Sequence, residues 1–258
     1  MAVGTTAGDV ADEKTWAAFP AVEVVLHLAG ISFVPESWQS PERFFRCNVV
    51  GAVAALNYCK HRGARLVLLS SYLYGNPRSL PIAENAPLSA NNPYALTKLM
   101  AEQAAAFYAA NNGVRVAVLR LFNVYGPGQS DKFLIPLILE QVRGGAAIRV
   151  NDLLPRRDYV YVKDVVQAIQ AAAEAGVSFG IFNVGSGRSH SVAEVIDTIQ
   201  QVWDTRLPVS SAKIERDNEI MDTVADIGAA ERELGWRPRY SLIDGLSDLR
   251  AAKGGSLT

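Results

Sequence analysis

Tyr94 and Lys98 are the residues whose types and spacing point most directly to chemistry. They lie four apart in the string PYALTK, residues 93–98, on a predicted helix that starts near Pro93. Residues four apart on a helix project from the same face, so the phenol and the ammonium group should point together. A nearby ammonium group favours the phenolate, so we expect Lys98 to lower the pKa of Tyr94 from about 10 towards the range of a general acid or base. The spacing alone is weak evidence, because many helices carry such a pair by chance.

Further hydroxyl groups precede this helix in the string SSYLYG, residues 70–75. The string follows an apolar segment, residues 65–69, that is typical of a buried strand. Open α/β sheets bind ligands at the carboxyl ends of their parallel strands, where Ser70 and Ser71 would lie. A turn capped by two serines is the alternative interpretation.

Composition excludes several classes of protein. The 258 residues are 49% hydrophobic, and 25 basic residues against 26 acidic ones leave a net charge of −1. A near-neutral chain has no broad basic field for nucleic acid or for an anionic membrane. No apolar run approaches the roughly 20 residues of a membrane span, and the first residues lack the features of a signal peptide. We therefore predict a cytoplasmic protein with neither a nucleic-acid nor a membrane partner.

Cysteine and histidine are too sparse to suggest a metal site. Cys47 and Cys59 lie in one helical stretch without metal-ligand spacing, which favours buried free thiols. The three histidines do not cluster with carboxylates, so we predict no catalytic metal. His27, at a strand end, is expected to pack rather than to catalyse.

Short β-branched runs alternate with longer amphipathic stretches from residue 22 onward. This alternation is typical of a parallel sheet covered by helices, so the predicted fold class is α/β. The predicted strands are residues 22–28, 65–70, 114–120 and 181–184, with a short extended segment at 147–150. The predicted helices are residues 14–19, 41–62, 93–112, 131–143, 163–175, 191–203, 229–234 and 241–252.

The first predicted strand poses a physical problem. Residues 22–28 are apolar enough for the middle of a sheet, yet only some 21 residues precede them. Parallel strands of this composition are normally flanked on both sides, and so short a segment cannot supply the missing neighbours. We therefore expect an exposed apolar edge at this strand.

In order along the chain, a set of short strings resembles the extended short-chain dehydrogenases/reductases. The resemblance is to their NAD-dependent sugar-nucleotide epimerase/dehydratase group, which includes UDP-glucose 4-epimerase, and it covers nearly the whole chain. Each string alone is weak evidence for this family, but the occurrence of all of them in this order is highly specific for it. The strings are GDVAD (8–12), HLAG (27–30), SSYLYG (70–75), PYALTK (93–98), LRLFNVYGPG (119–128), RRDYVYVKDV (156–165), FNVGSGRSHSV (182–192) and ADIGAAERELGWRP (225–238).

The resemblance implies a Rossmann-like parallel sheet with a smaller C-terminal α/β part that binds substrate. Residues 1–127 would form a partial dinucleotide-binding domain, to which residues of about 158–192 return. Residues 128–157 and 193–258 would form the substrate-binding part. The implied cofactor is NAD, with NADP left open, and the implied partner is a nucleotide sugar in a protein that forms a homodimer.

Individual roles follow from the resemblance by position. The catalytic residues would be Ser70, Tyr94 and Lys98, with Ser71 as the second choice for the catalytic hydroxyl. The cofactor would be bound by Asp9, Val10, Leu28, Ala29, Gly30, Asn48 and Phe122, together with Tyr94 and Lys98. The substrate would be bound by Ser71, Tyr72, Asn123, Arg157 and Arg216. A guanidinium group suits phosphate oxygens bidentately, which supports the two arginines as a diphosphate clamp, although a surface ion pair is the alternative for each.

The chain departs from the family pattern at its start. The glycine fingerprint between the family's first strand and first helix, which binds the cofactor pyrophosphate, cannot be assigned. The sequence therefore predicts an N-terminally truncated sheet and weak NAD binding by this chain alone. A late start assigned to a longer gene, a degenerate copy and a specialised protein are the competing explanations.

A second departure concerns the reaction. The family's 4,6-dehydratases carry an Asp-Glu pair after the catalytic hydroxyl, and its decarboxylases keep a Glu at the second of these places, whereas this chain has Ser71 and Tyr72. Both chemistries are therefore disfavoured, and an NAD-dependent nucleoside-diphosphate-sugar epimerase is the predicted enzyme. An NAD(P)-dependent keto-sugar reductase and a catalytically silent nucleotide-sugar-binding protein remain alternatives. The identity of the sugar stays open, because the loop at residues 151–155 lacks the family's usual glycine turn.

Overall fold

The computed structural model describes residues 8–214 and 219–252 of the chain. The strands are β1 (Val24–His27), β2 (Arg65–Ser71), β3 (Val116–Leu121), β4 (Asn123–Tyr125), β5 (Ile148–Val150), β6 (Arg156–Tyr161), β7 (Phe179–Val184), β8 (Ser189–Ser191) and β9 (Val209–Ser211). The helices are α1 (Glu13–Ala17), α2 (Val34–Gln39), α3 (Pro41–Phe44), α4 (Gly51–Arg62), α5 (Pro93–Asn112), α6 (Leu134–Gly144), α7 (Val162–Glu174), α8 (Val192–Trp203), α9 (Gly228–Leu234) and α10 (Leu242–Ala252). A π-helical turn, Phe45–Val50, joins α3 to α4.

The main sheet is parallel, in the order β1-β2-β3-β7. Its strands are apolar on both faces, which is what a parallel sheet covered by helices requires. Helices α4 and α5 cover one face, where Leu56, Leu66 and Val118 belong to one buried cluster. Helices α7 and α9 cover the other face, where Leu119 and Phe182 belong to a second cluster. The predicted α/β fold with a Rossmann-like parallel sheet is therefore confirmed.

A smaller part of the chain has its own core. Strands β4, β6 and β8 form one short sheet, and β5 pairs with β9 in another. Helices α6, α8 and α10 pack against these strands around Ile138, Ile196 and Leu246, each of which is fully buried. The predicted division of the chain into a dinucleotide-binding and a substrate-binding part stays a prediction.

Helix α5 positions the Tyr94 and Lys98 side chains, and its ends are set by the sequence. The Asn92 side chain caps its start by accepting a hydrogen bond from the Ala95 amide at 2.9 Å, and Pro93 stands in the first turn. Gly113 ends the helix in the left-handed conformation, with φ +67°. The observed bounds match the predicted residues 93–112.

The helix predicted over residues 41–62 is interrupted by the π-helical turn. Asn48 lies in this turn, and its buried side chain bonds the backbone of Ile31 and the hydroxyl of Thr97. A single π-helical turn inside a longer helix redirects side chains and is frequent at functional sites. Residue periodicity could not reveal it, because the flanking segments remain helical.

Strand β1 forms one end of the main sheet among the described residues. Leu26 and Leu28 are 46% and 58% exposed there, as expected for an apolar edge. The strand is also shorter than the predicted residues 22–28.

The described residues contain neither a membrane-spanning helix nor a metal-binding cluster. In residues 8–214 and 219–252, no helix combines the length and apolarity needed to cross a bilayer. The same ranges contain no group of three or more His, Cys, Asp or Glu residues that could hold a metal ion.

Asp158 in β6 holds two loops together, the one after β7 and the one before α9. Its carboxylate accepts hydrogen bonds from the amides of Ser186 (2.6 Å), Gly187 (3.0 Å) and Ala225 (3.0 Å), and from the Ser186 hydroxyl (2.7 Å). Burial raises the pKa of this carboxyl group, while these four donors oppose the rise. Loss of the carboxylate would leave the buried amide of Ala225 and the partly buried amides of Ser186 and Gly187 without this partner.

We expect Asp158→Ala to lower the free energy of unfolding by about 3 kcal/mol, because each buried amide left unpaired costs roughly 1–3 kcal/mol. Urea denaturation followed by circular dichroism measures the change. Asp197→Ala, at an exposed position of α8, is the matched control and should stay within about 0.5 kcal/mol of the parent. Equal stabilities of the two variants would show that Asp158 does not hold the loops together.

Candidate active site

Three side chains four residues apart form a stripe on helix α5 that faces the carboxyl end of β2. Lys98 donates a hydrogen bond from Nζ to the Leu69 carbonyl oxygen at 2.9 Å. Glu102, one turn further, accepts a hydrogen bond from the Ser70 hydroxyl at 2.5 Å. Tyr94, one turn earlier, interacts with Ser71. The helix thus places a phenol, an ammonium group and a carboxylate along the end of one strand.

Lys98 is buried beneath the loop that follows β1. Burial lowers the pKa of Lys98 to about 8, and interactions with Cys47 and Glu102 offset only part of this effect. A Cβ atom placed on Gly30 would lie 3.2 Å from the Lys98 Nζ. The ammonium group therefore sits directly under the backbone at this glycine.

Tyr94 is partly exposed at the start of the same helix. Its ring contacts Phe44 edge to face, with 6.4 Å between ring centroids. Burial raises the pKa of Tyr94, and the Ser71 hydroxyl opposes this rise as a hydrogen-bonding partner. The expected lowering of the Tyr94 pKa is wrong for this arrangement, because burial has the larger effect on the phenol.

The two adjacent serines have different surroundings, although both line the same cavity. Ser70 is 4% exposed and bonds Glu102. Ser71 is more exposed and faces Tyr94. Successive residues of a strand point to opposite faces, which explains why neighbours in sequence have different partners. The serine placed beside the phenol is therefore Ser71, the second choice from sequence.

A cavity of about 610 Å³ opens in front of these groups. It brings together most of the predicted catalytic and substrate-binding residues, namely Ser70, Ser71, Tyr72, Tyr94 and Asn123. Phe122, predicted as a cofactor contact, also lines this cavity. Its ring contacts that of Tyr72 edge to face at 5.3 Å between centroids, and the Tyr72 hydroxyl donates to the Gly75 carbonyl at 2.6 Å. Burial raises the pKa of Tyr72, so its phenol stays neutral near pH 7.

Arg157 lies at a second cavity, of about 310 Å³, which shares Asn123 with the first. Its guanidinium group forms an ion pair with Glu219 and also bonds the Ile220 carbonyl. The predicted phosphate clamp is thus paired with a carboxylate here. Arg216, its predicted partner in the clamp, lies outside the described residues.

The predicted cofactor contacts gather near the carboxyl end of β1. Val10, Leu28 and Ala29 line a cavity of about 380 Å³, together with His27. Asp9 accepts two hydrogen bonds from the Arg46 guanidinium group, at 2.6 and 3.0 Å. This part of the site is therefore assembled from the segment before α1, the loop after β1 and the π-helical turn.

Asn48 ties this loop to helix α5. Its Oδ1 accepts from the Ile31 amide at 2.9 Å, and its Nδ2 donates to the Ile31 carbonyl at 3.1 Å and to the Thr97 hydroxyl at 3.0 Å. Asn48 thus fixes the Gly30 backbone above Lys98 rather than presenting its own amide to a ligand.

His27 is buried next to the same cavity, as expected for a packed residue. Burial, followed by the charge of Lys98, lowers its pKa to about 4, so the imidazole is neutral at pH 7. Within the described part of the chain, its Nε2 atom has no hydrogen-bond partner.

The site residues that sequence reasoning missed are Glu102 and Arg120. Glu102 continues the four-residue spacing of Tyr94 and Lys98, a signal that the sequence did contain. Arg120 is 2% exposed in the middle of the main sheet, and nothing in an apolar strand pattern indicates its partner.

Comparisons with known proteins show the family of this chain. The family model described as "NAD dependent epimerase/dehydratase family" matches residues 3–185. The chain belongs to the NAD-dependent epimerase/dehydratase family. This enzyme family contains a UDP-glucose 4-epimerase from Streptomyces lividans that is 32% identical over 264 residues, covering 93% of this chain and 80% of that protein.

Solved structures show the same family fold. A UDP-glucose 4-epimerase from Stenotrophomonas maltophila with bound NAD and formylated UDP-arabinopyranose has a TM-score of 0.87 and 31% identity, covering 96% of this chain and 83% of that one. RMD from Pseudomonas aeruginosa, complexed with NADPH, has a TM-score of 0.87 and 28% identity, covering 94% and 86% of the two chains. Cofactors of these relatives are therefore nicotinamide dinucleotides.

The described residues of this family member fit one end of such a cofactor. Lys98 carries three donor hydrogens and uses one of them on Leu69, and Gly30 leaves open the space that a Cβ would fill above it. Lys98 and Tyr94 would hold the nicotinamide ribose, with Val10, Leu28 and Ala29 as apolar contacts in the adjoining cavity.

Lys98 should lose its proton with a midpoint near pH 8, because burial disfavours the charged ammonium form. Carbon-13 NMR of labelled lysine side chains, titrated between pH 6 and pH 12, measures this value. Lys163 provides a control in the same spectrum, because its hydrogen bond to Asp248 raises its pKa above the usual value. A Lys98 midpoint at or above that of Lys163 would contradict the buried position.

Proposed function

We propose that this chain is an NAD-dependent epimerase that inverts C4 of a nucleoside-diphosphate sugar. The observation that carries the proposal is that Ser71 and Tyr94 line one cavity of about 610 Å³ while Lys98, one helical turn from Tyr94, is held at the Leu69 carbonyl, within a chain of this family. A cavity of this size suits a sugar nucleotide's hexose and part of its diphosphate.

Tyr94 acts as the base at the sugar. Its phenolate oxygen takes the proton of the C4 hydroxyl, so the oxygen–hydrogen bond breaks as the C4 carbonyl forms. In the return step the phenol gives the proton back to the same oxygen, now on the opposite face of the ring. When bound, the nicotinamide supplies reversible uptake of the C4 hydride. Ser71 favours the phenolate because its hydroxyl interacts with the Tyr94 oxygen.

Lys98 contributes a positive charge and a donor in a water-poor site. It is held by the Leu69 carbonyl, and its position is fixed before any ligand arrives. Preorganised groups of this kind are worth most where water is excluded.

Tyr72 supports epimerisation over elimination. An elimination of water from the sugar needs an acid and a base beside C5 and C6, and Ser71 and Tyr72 occupy the two positions where dehydratases of the family carry an Asp-Glu pair. Its raised pKa keeps the phenol neutral, and its hydroxyl hydrogen is already given to the Gly75 carbonyl. The residue therefore serves as a wall of the cavity.

The diphosphate would lie towards the second cavity, where Lys132, Arg149 and Arg157 bring positive charge. Arg157 would exchange its ion pair with Glu219 for the phosphate oxygens, to which a guanidinium group binds bidentately. Arg216 remains the proposed second member of this clamp.

We expect Tyr94→Phe to lower the rate of interconversion of UDP-glucose and UDP-galactose by roughly a hundred- to ten-thousandfold, because it removes the acid/base group. The assay supplies NAD⁺ and follows both sugars by chromatography. Binding of UDP-glucose, measured by calorimetry, should change little.

Tyr108→Phe is the matched control, since Tyr108 lies on the same helix and its hydroxyl bonds Asn57 at 2.6 Å, outside the cavity. It should retain the parent rate. If the parent chain binds UDP-glucose and NAD⁺ but never interconverts the sugars, the proposal of an epimerase is wrong.

The proposal includes a homodimer that works in the cytoplasm. Leu96, Met100 and Phe107 are 40%, 36% and 61% exposed, and the helical spacing places all three on one stripe of α5. Such a stripe suits a helix-to-helix interface between two copies. The free thiols of Cys47 and Cys59 suit a reducing compartment.

We expect Phe107→Glu to halve the molar mass measured by light scattering, because it places a charge in the apolar stripe. Leu154→Glu, which changes a 70% exposed leucine elsewhere, should leave the mass unchanged. Equal masses for the parent and both variants would argue against this interface.

A further inference from the structure

Ser70, Glu102 and Arg120 form a buried charged network directly behind the catalytic cavity. Arg120 donates from Nε to both carboxylate oxygens of Glu102, at 3.0 and 3.2 Å, and from NH2 to Oε2 at 2.7 Å. The two side chains are 3% and 4% exposed. The guanidinium group thus clamps the carboxylate in a site closed to water.

The remaining donors of Arg120 anchor the network to the loop after β2. Its NH1 donates to the Tyr74 hydroxyl at 3.0 Å and to the Glu84 carbonyl at 2.8 Å. The Tyr74 hydroxyl in turn donates to the Asn183 side chain at 2.6 Å. Arg120 therefore has a fixed position, and Glu102 is fixed with it.

This geometry determines where the Ser70 proton lies. A carboxylate clamped by a guanidinium group is ionised and can only accept hydrogen bonds. The 2.5 Å contact between Ser70 Oγ and Glu102 Oε1 must then be made with the Ser70 hydrogen. A hydroxyl has one hydrogen and two lone pairs, so only the lone pairs of Ser70 face the cavity.

Ser71 has the opposite polarity. Its hydroxyl lines the cavity beside the Tyr94 phenol, where its hydrogen can be donated to the phenol oxygen. The adjacent serines therefore present a donor and an acceptor to the same cavity.

We propose that Glu102, held by Arg120, is a positioning residue that keeps the Ser70 hydrogen away from the cavity. Ser71 is then the only one of the two serines that donates a hydrogen bond at the reacting oxygens. Ser70 accepts a hydrogen bond from a neighbouring sugar hydroxyl. The assignment rests on the proposed function, because it concerns the oxygen that Tyr94 deprotonates. It also explains why two serines are placed side by side. A donor at the phenolate aids proton removal, whereas an acceptor at the reacting hydroxyl would compete with Tyr94 for the same proton.

Ser71→Ala and Ser70→Ala test the division of roles. We expect Ser71→Ala to lower kcat about a hundredfold with little change in KM, and to move the rising limb of the pH–rate profile to higher pH. Ser70→Ala should raise KM about threefold and leave that limb in place. Ser247→Ala, whose hydroxyl bonds the Ile243 carbonyl on α10, is the control and should match the parent in both.

A second measurement needs no turnover. Carbon-13 NMR of labelled tyrosine, with the Tyr94 signal assigned from Tyr94→Phe, gives the Tyr94 pKa in the chain without ligands. Ser71→Ala should raise it further, whereas Ser70→Ala should not. A rise in Ser70→Ala without one in Ser71→Ala would overturn the inference. Absence of epimerisation in the parent would refute the proposed function, while the titration would still decide the roles of the two serines.

The positioning role of Glu102 is tested by rescue. In the Ser71→Ala/Glu102→Gln double variant, the amide introduced at position 102 can donate to the Ser70 oxygen. The Ser70 hydroxyl hydrogen can then point into the cavity. We expect kcat to recover at least about fivefold over Ser71→Ala. The Ser71→Ala/Glu102→Asp double variant offers a second form of the test, since it keeps the charge beside Arg120 but shortens the reach to Ser70. No recovery in either double variant, with native circular dichroism, would refute the role of Glu102.

Discussion

The four-residue spacing on helix α5 is the constraint on which the site depends. It aligns Tyr94, Lys98 and Glu102 on one face, and each of them meets a different atom at the end of β2. Asn92 and Gly113 fix where this helix begins and ends, so the stripe cannot slide along the strand. Strand β2 and helix α5 therefore form one rigid unit, and the rest of the fold packs around it.

Local sequence patterns were sufficient for the main sheet and its covering helices and pointed to the candidate site, whereas β4, β6, β8, β9 and α2 were not predicted. Strand periodicity placed the four main strands, capping residues gave the bounds of α5, and the ordered family strings located the phenol, the ammonium group and the serines. These features are encoded within a few neighbouring residues, where the rules of helices and strands are strong.

The partners of charged groups could not be predicted in the same way. Lys98 is turned to a carbonyl 29 residues away in sequence, and the pair between Glu102 and Arg120 spans 18 residues. Arg157 finds its carboxylate at Glu219, 62 residues on. Such contacts depend on tertiary packing, and burial there reversed the expected direction of the Tyr94 pKa shift. Which serine faces the phenol likewise depended on the strand's orientation in the sheet.

The π-helical turn has a consequence for how this sequence can change. An α-helix advances by about 100° per residue, so one residue added to or removed from the run at 41–62 would turn everything beyond it to another face. Phe44 and Asn48 lie on the side that meets α5, and Ala52 and Leu56 continue into the core beside Trp16. The π-helical turn allows Phe44 and Asn48 to face α5 while Ala52 and Leu56 face the core. Insertions and deletions in this run should therefore be selected against more strongly than substitutions, and the length of the segment should vary less over evolution than its composition.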